Sequence, residues 1–217
     1  MKIIFDSSSL ISFTDACLLG TLKDITNEIG VEIVIPEYVA IETIDKPLKV
    51  HKYMIHAVRI KNAVNDGWIK VEKINNESKK FVNETMEHIN DLYSIRGHPL
   101  QIIQKGEVEA LALIKELGAN VLAVDERTTR LLIENPEALR GLLERRHHQS
   151  VEINKERLHE LEKTFDGLVI VRSIEIAALA FKRQLINRNM IRPVLYALKY
   201  NGCGISEREI KEFMKKA

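Results

Sequence analysis

Two aspartates stand directly after short apolar runs, Asp6 after KIIF (2–5) and Asp125 after NVLAV (120–124). Runs of that kind read as buried strands, so both carboxylates are expected at the same edge of one sheet. Glu42 lies inside the otherwise apolar segment Tyr38–Ile44. Glu107 and Glu109 lie in the first turns of the helix that leads into the Asp125 strand. Carboxylates gathered at one edge repel one another and raise each other's pKa unless a divalent cation neutralises them. Hard oxygen ligands in such a group suit Mg²⁺ or Mn²⁺ rather than zinc. Each acid also has a plain structural explanation: Asp after a strand is a frequent helix N-cap, and Glu in a first helical turn complements the helix dipole. The coincidence of two strand-end acids with three helix acids points beyond those explanations to a metal site.

The elements that must position these acids alternate in type. KIIF (2–5), VEIVI (31–35), WIKVEKI (68–74), NVLAV (120–124) and LVIVR (168–172) read as strands. Helical segments fall between them: one to about residue 27, one opened by Pro36, one over 48–65 and one from Gly106 closed by Gly118. Residues 75–104 read as helical with a loop at Arg96-Gly97-His98-Pro99, and helices continue to about Thr164. Ser173 is expected to cap a further helix, and Ser206 with Glu209 forms a capping box for the last one. Strands that read as continuous apolar runs, alternating with helices, predict a parallel sheet covered on both faces. Ligands of such sheets bind beyond the carboxyl ends of the strands, which is where Asp6 and Asp125 stand.

The chain has 217 residues, with 45% hydrophobic and 29% charged. At roughly 150 residues per domain this is one large domain, and the composition excludes a disordered chain. No apolar run approaches the roughly 20 residues of a membrane span. The start MKIIFDSSSL lacks the apolar core of a signal peptide. Cys17 and Cys203 are too few for a disulfide framework, so reduced thiols and a cytoplasmic location are expected. The net charge of +1 hides a segregation. Residues 1–45 carry eight acids against two lysines, and residues 181–217 carry nine bases against three acids. Residues 46–62 hold five bases and no acid. Within them Lys49, Lys52, His56 and Arg59 recur at helical spacing opposite an apolar side of Val50, Tyr53, Met54, Ala57 and Val64. Arg145-Arg146-His147-His148 is a second basic run, and it reads as surface.

The strings FDSSSLISF, VIPEYVAIE, DGWIKV and GEVEALALIKELGANVLAVDERTTR, in that order, resemble the PIN-domain nucleases. The likeness is to a prokaryotic branch with a G-E-x-E-A string followed by V/I-D-D/E-R, and more distantly to the toxins of toxin–antitoxin pairs. The tail NGCGISEREIKEFMKKA is similar to the end of that branch. The resemblance covers about residues 1–46, 63–74, 106–133 and 166–217. It implies a three-layer α/β/α sandwich with a central parallel sheet, residues 1–217 forming one PIN-like domain with helical insertions around 46–105 and 134–165. It further implies a carboxylate cluster for Mg²⁺ or Mn²⁺ made of Asp6, Glu42, Glu109 and Asp125. Ser8 matches a small polar residue that helps hold metal or phosphate. The third acid stays open. Residues two apart on a helix differ by about 200°, so Glu107 and Glu109 cannot face the same way. Motif spacing favours Glu109, while Glu107 shares its side of the wheel with Ala110, Leu111 and Ile114.

Metal held by such acids would orient and deprotonate water and stabilise charge on a scissile phosphate. The implied activity is hydrolysis of RNA phosphodiesters, with a non-catalytic PIN-like module that binds RNA or protein as the alternative. A DNA nuclease using the same acids is a third reading. A haloacid-dehalogenase-like phosphatase would carry a second Asp two residues after Asp6, where this chain has Ser8. Nucleic acid requires a cationic surface. Lys49, Lys52 and Arg59 read first as a solvated helix face and, as the functional alternative, as a phosphate track. Arg127 and Arg130 stand close enough to Asp125 to meet the scissile phosphate. A homodimer and an antitoxin are the other expected partners. The extra helical material weakens the toxin reading against an RNA-processing one.

Overall fold

The computed structural model describes residues 1–216. Its central sheet has five parallel strands: β1 (Lys2–Phe5), β2 (Glu32–Pro36), β3 (Ile69–Glu72), β6 (Val121–Ala123) and β8 (Val169–Val171). Their order is β3-β2-β1-β6-β8. The chain builds outward from β1 to one side, then returns to fill the other. The carboxyl ends of β1 and β6 therefore flank a switch point of the kind where open sheets hold ligands. Ile4 pairs with Leu122 and Phe5 with Ala123, and the Asp6 N–H donates to the Ala123 carbonyl at 2.9 Å. The ends of the two strands are thereby level.

Side chains alternate across the sheet because a strand's period is two. Ile3 and Phe5 of β1, Ile33 and Ile35 of β2, and Val121 and Ala123 of β6 enter one apolar layer. Ile4, Val34 and Leu122 enter the other. The first layer is covered by α1 (Ser7–Asp15), α2 (Leu19–Glu28) and α4 (Met54–Asn65), together with α10 (Ser173–Lys182), α11 (Ile191–Tyr200) and α12 (Glu207–Lys216). The second is covered by α5 (Asn76–Asn90), α6 (Lys105–Leu117), α7 (Arg127–Glu134), α8 (Pro136–His147) and α9 (Lys155–Thr164). Each fully buried Ile, Leu or Phe contributes about 1.5–3 kcal/mol, so the two apolar layers hold the sandwich together. The result is the expected α/β/α arrangement. No helix among the described residues is long and apolar enough to cross a membrane.

Three expectations are corrected. The continuous helix over 48–65 is broken: Pro47–Lys49 and His51–Tyr53 are separate 3₁₀ turns around an extended Val50, and α4 begins only at Met54. The buried face of α4 is Ala57, Ile60 and Ala63, while Val50, Tyr53 and Met54 are exposed. The segment before α6 is not wholly helical either. Strands β4 (Tyr93–Ile95), β5 (His98–Pro99) and β7 (Glu152–Ile153) form a small antiparallel sheet. Arg96 and Gly97, with φ of 51° and 77°, make the tight turn from β4 to β5, as two-residue hairpin loops with left-handed residues do. Finally, Ser173 does not cap α10; its hydroxyl donates to Asp125, and Arg172 occupies the cap position.

Candidate functional site

A cleft of about 810 Å³ opens beside the carboxyl ends of β1 and β6, and Asp6, Glu42, Glu107 and Glu126 line it. Asp6 leaves β1 and caps α1, its Oδ2 accepting the Ser8 N–H at 3.0 Å and the Ser8 hydroxyl at 2.7 Å. Its Oδ1 has only a 3.5 Å approach from the Ser7 hydroxyl. The N-cap explanation is thus correct for Asp6, yet the same carboxylate also lines the cleft. Burial pushes its carboxyl above the ordinary range, and the Ser8 contacts offset only part of that. Ser8 does more than meet Asp6. Its Oγ also accepts the N–H groups of Asp125 and Glu126 at 3.0 and 3.3 Å. It is a rivet between the two strand ends, and its hydroxyl is engaged on both sides.

Glu107 is the third residue of α6. Its Oε2 accepts the Gln104 N–H at 2.8 Å in a capping box, and its other oxygen accepts the Thr129 hydroxyl from α7. Burial, then the nearby Asp6, pushes its carboxyl up to about 7. Glu109 does not reach the cleft lining; it is buried, with Oε1 3.7 Å from Lys105 Nζ. Glu107 lines the cleft with the other acids, while Glu109 lies off the lining yet close enough to Glu42 to raise its carboxyl. Glu42 sits in a π-helical turn, Ile41–Asp45, that continues α3 (Glu37–Ala40). Such turns bulge the helix and re-aim side chains. Burial raises the Glu42 carboxyl, Lys46 draws it back, and Asp6 and Glu109 raise it further. A Cβ at Gly106 would lie 2.9 Å from Glu42 Oε2 and 3.2 Å from the Tyr38 ring. The glycine of the G-E-x-E-A string therefore leaves room for Glu42 against the start of α6.

Asp125 is placed differently from its expectation. It is wholly buried, and its Oδ1 and Oδ2 accept the N–H and hydroxyl of Ser173 at 2.8 and 2.6 Å. Gly204 packs on its carbonyl, donating from 3.3 Å, and a Cβ there would lie 3.2 Å from that oxygen. Asp125 thus ties β6 to α10 and to the C-terminal turn, and it does not line the cleft. The next residue does. Glu126 caps α7, accepting the Thr129 N–H at 2.8 Å, and faces the cleft. Sequence reasoning passed over it, although consecutive residues leaving a strand point to opposite sides.

The expected basic residues disperse. Lys49 and Lys52 lie on separate turns, and Arg59 faces another depression, its Nη1 3.4 Å from Cys17 Sγ. His56 bonds Asp15. Arg127 is exposed, and Arg130 Nη1 lies 3.8 Å from Glu134; neither lines the cleft. Lys105, Arg146 and His147 do line it. Lys105 stands 5.3 Å from the Tyr38 ring centre and Lys46 5.0 Å from it, so one tyrosine holds two cations near Glu42.

Among the described residues, no three His, Cys, Asp or Glu side chains already converge into a metal cage. The donors at the acidic end nonetheless fit a hard divalent cation. They are four carboxylates, and burial has raised the carboxyls of Asp6, Glu42 and Glu107. Glu42, Glu107 and Glu126 have flexible stems that can draw inward around an ion, whose charge would offset their mutual repulsion. A family model described as a PIN domain matches residues 2–137. That span holds Asp6, Glu42, Glu107 and Glu126, and ends before most of α8. No curated protein and no solved structure matches the chain.

Proposed function

The chain belongs to the PIN-domain family, whose members are typically nucleases acting with divalent metals, and from that premise we propose that it is a Mg²⁺- or Mn²⁺-dependent endoribonuclease. The observation that supports this best is the gathering of Asp6, Glu42, Glu107 and Glu126 on one cleft at the switch point of the sheet. Asp6, Glu107 and Glu126 would hold the metal, and Glu42 would complete the set or orient water. Bound there, a divalent ion lowers the pKa of water and stabilises charge on a phosphodiester. The chain's own groups do the rest. Ser8 fixes Asp6 against the end of β6, Gln104 and Thr129 hold Glu107, and Lys105 offers a cation to the substrate phosphate. We read residues 1–217 as one PIN-like domain with helical insertions around 46–105 and 134–165, of which 75–105 and 134–165 form an added wall beside the cleft.

A second reading is a PIN-like module that binds RNA without cutting it. It is favoured by Asp125, a strand-end acid committed to Ser173 rather than to the cleft. The test is cleavage of a labelled single-stranded RNA with Mn²⁺. The nuclease reading expects cutting that EDTA abolishes and that Asp6→Asn reduces by about a hundredfold or more, the scale of ~3 kcal/mol of transition-state stabilisation. Cutting that survives both changes would overturn the proposed site. A folded protein that holds RNA in Mn²⁺ and cuts none would establish the module.

A further inference from the structure

The cleft does not end at the acids. Away from them it runs between the connection from β5 to α6 and the last turn of α8. Met86, Leu100, Ile102 and Leu143 give this end apolar walls, and Arg146 and His147 line its rim. These residues come from α5, from the segment after the hairpin, and from α8. The run Arg145–His148 reads from sequence as plain surface, yet the middle two of its four residues border the cleft. The ion pair of α8 joins Arg140 to Glu137, and no carboxylate among the described residues pairs with Arg146.

An apolar recess beside a row of carboxylates has little to offer a phosphate, which needs cations. It suits the uncharged, flat part of a nucleotide, because burying an apolar face is favourable and every base has one. The Arg146 guanidinium and the His147 ring at the rim are donors suited to the phosphate next to that base. Gln101 also lines this end, and its exposed carboxamide carries a donor and an acceptor for a base edge.

We propose that this end of the cleft is a base-binding subsite, in which one unpaired nucleobase lies against Met86, Leu100, Ile102 and Leu143 while Arg146 and His147 hold the adjoining phosphate. Its place beside a scissile phosphate rests on the nuclease reading; the binding itself does not. The subsite makes the added wall the part that chooses where the chain is engaged, and the acidic end the part that acts.

The test uses fluorescence anisotropy with a labelled eight-nucleotide RNA in Ca²⁺, and a set of the same oligonucleotide with one abasic residue moved through each position. Wild type is expected to lose about five- to tenfold in affinity at one position and little elsewhere. In Leu100→Ser/Ile102→Ser that position should no longer stand out. Met86→Ser, on a different element, repeats the test if the double variant does not fold. Arg146→Ala should weaken every oligonucleotide alike and flatten the salt dependence. Equal losses at all positions in wild type, or a position-specific loss that persists in the wall variants, would overturn the subsite. If one position stands out but no RNA is cut in Mn²⁺, the subsite holds and the nuclease reading fails. If RNA is cut with no such position, the reverse is established.

Discussion

Asp6 and Asp125 leave neighbouring parallel strands at the same level, and both are nearly or wholly buried. They differ in what meets their oxygens. Asp6 is held by residues of its own turn and still borders the cleft, while both oxygens of Asp125 are taken by Ser173, 48 residues further on. A strand-end carboxylate is therefore not a ligand by position alone. Its partner hydroxyl decides whether it faces the cleft or ties the fold together, and here Glu126 takes up the outward position that Asp125 leaves.

The sharpest break of this contrast is substitution at each aspartate. Asp125→Ala removes an acceptor from two buried donors, so it should lower stability by about 2–4 kcal/mol. Urea unfolding measures this, and RNA cleavage per folded molecule should change little. Asp6→Asn should do the opposite, removing cleavage while leaving the metal-free fold as stable or more so. Loss of cleavage with unchanged stability in Asp125→Ala would make that residue part of the site.

The next effect is pH-dependent. Glu107 has an ordinary value of 4.5 and a folded value of about 7. The folded state then binds more protons than the unfolded one between those values, so the group destabilises the fold as pH rises through the window. The metal-free protein should lose on the order of 2 kcal/mol between pH 4.5 and pH 7 from this group. Glu107→Gln should remove that slope in thermal unfolding scans at pH 5, 6 and 7. An unchanged slope would separate Glu107 from the acidic cluster.

The smallest effect is expected at Gly106. A methyl group there must displace Glu42, whose flexible end can yield. Gly106→Ala should therefore weaken Mn²⁺ binding by about three- to tenfold with stability changed by less than ~1 kcal/mol, helix propensity offsetting the contact. Titration calorimetry would check it, and tighter binding would argue against Glu42 as a participant.

The five core strands were legible because strands covered on both faces read as unbroken apolar runs. The small sheet was not, since β4, β5 and β7 are two or three residues long and carry no period. The helix over 48–65 read as continuous because its lysines and arginine kept helical spacing, but Pro47 and the extended Val50 divide it. The helical wheel set Glu107 on the apolar side and Glu109 nearer the polar one, but the fold buries Glu109 and leaves Glu107 half-buried on the cleft, because α6 is covered on nearly every side. The role of Asp125 lay outside any local pattern, because Ser173 and Gly204 meet it only through the tertiary fold. Arg146 and His147 are exposed, as their composition indicated, and only the tertiary fold shows that they also border the cleft.

The most direct measurement is Mn²⁺ titration by calorimetry on wild type, Asp6→Asn and Asp125→Asn, with Ser173→Ala as a milder release of the same clamp. Wild type and the folded fraction of the Asp125 and Ser173 variants should bind metal with similar affinity, and Asp6→Asn should not bind at millimolar Mn²⁺. Binding retained by Asp6→Asn and lost by folded Asp125→Asn would contradict the account and return the metal to the clamped aspartate.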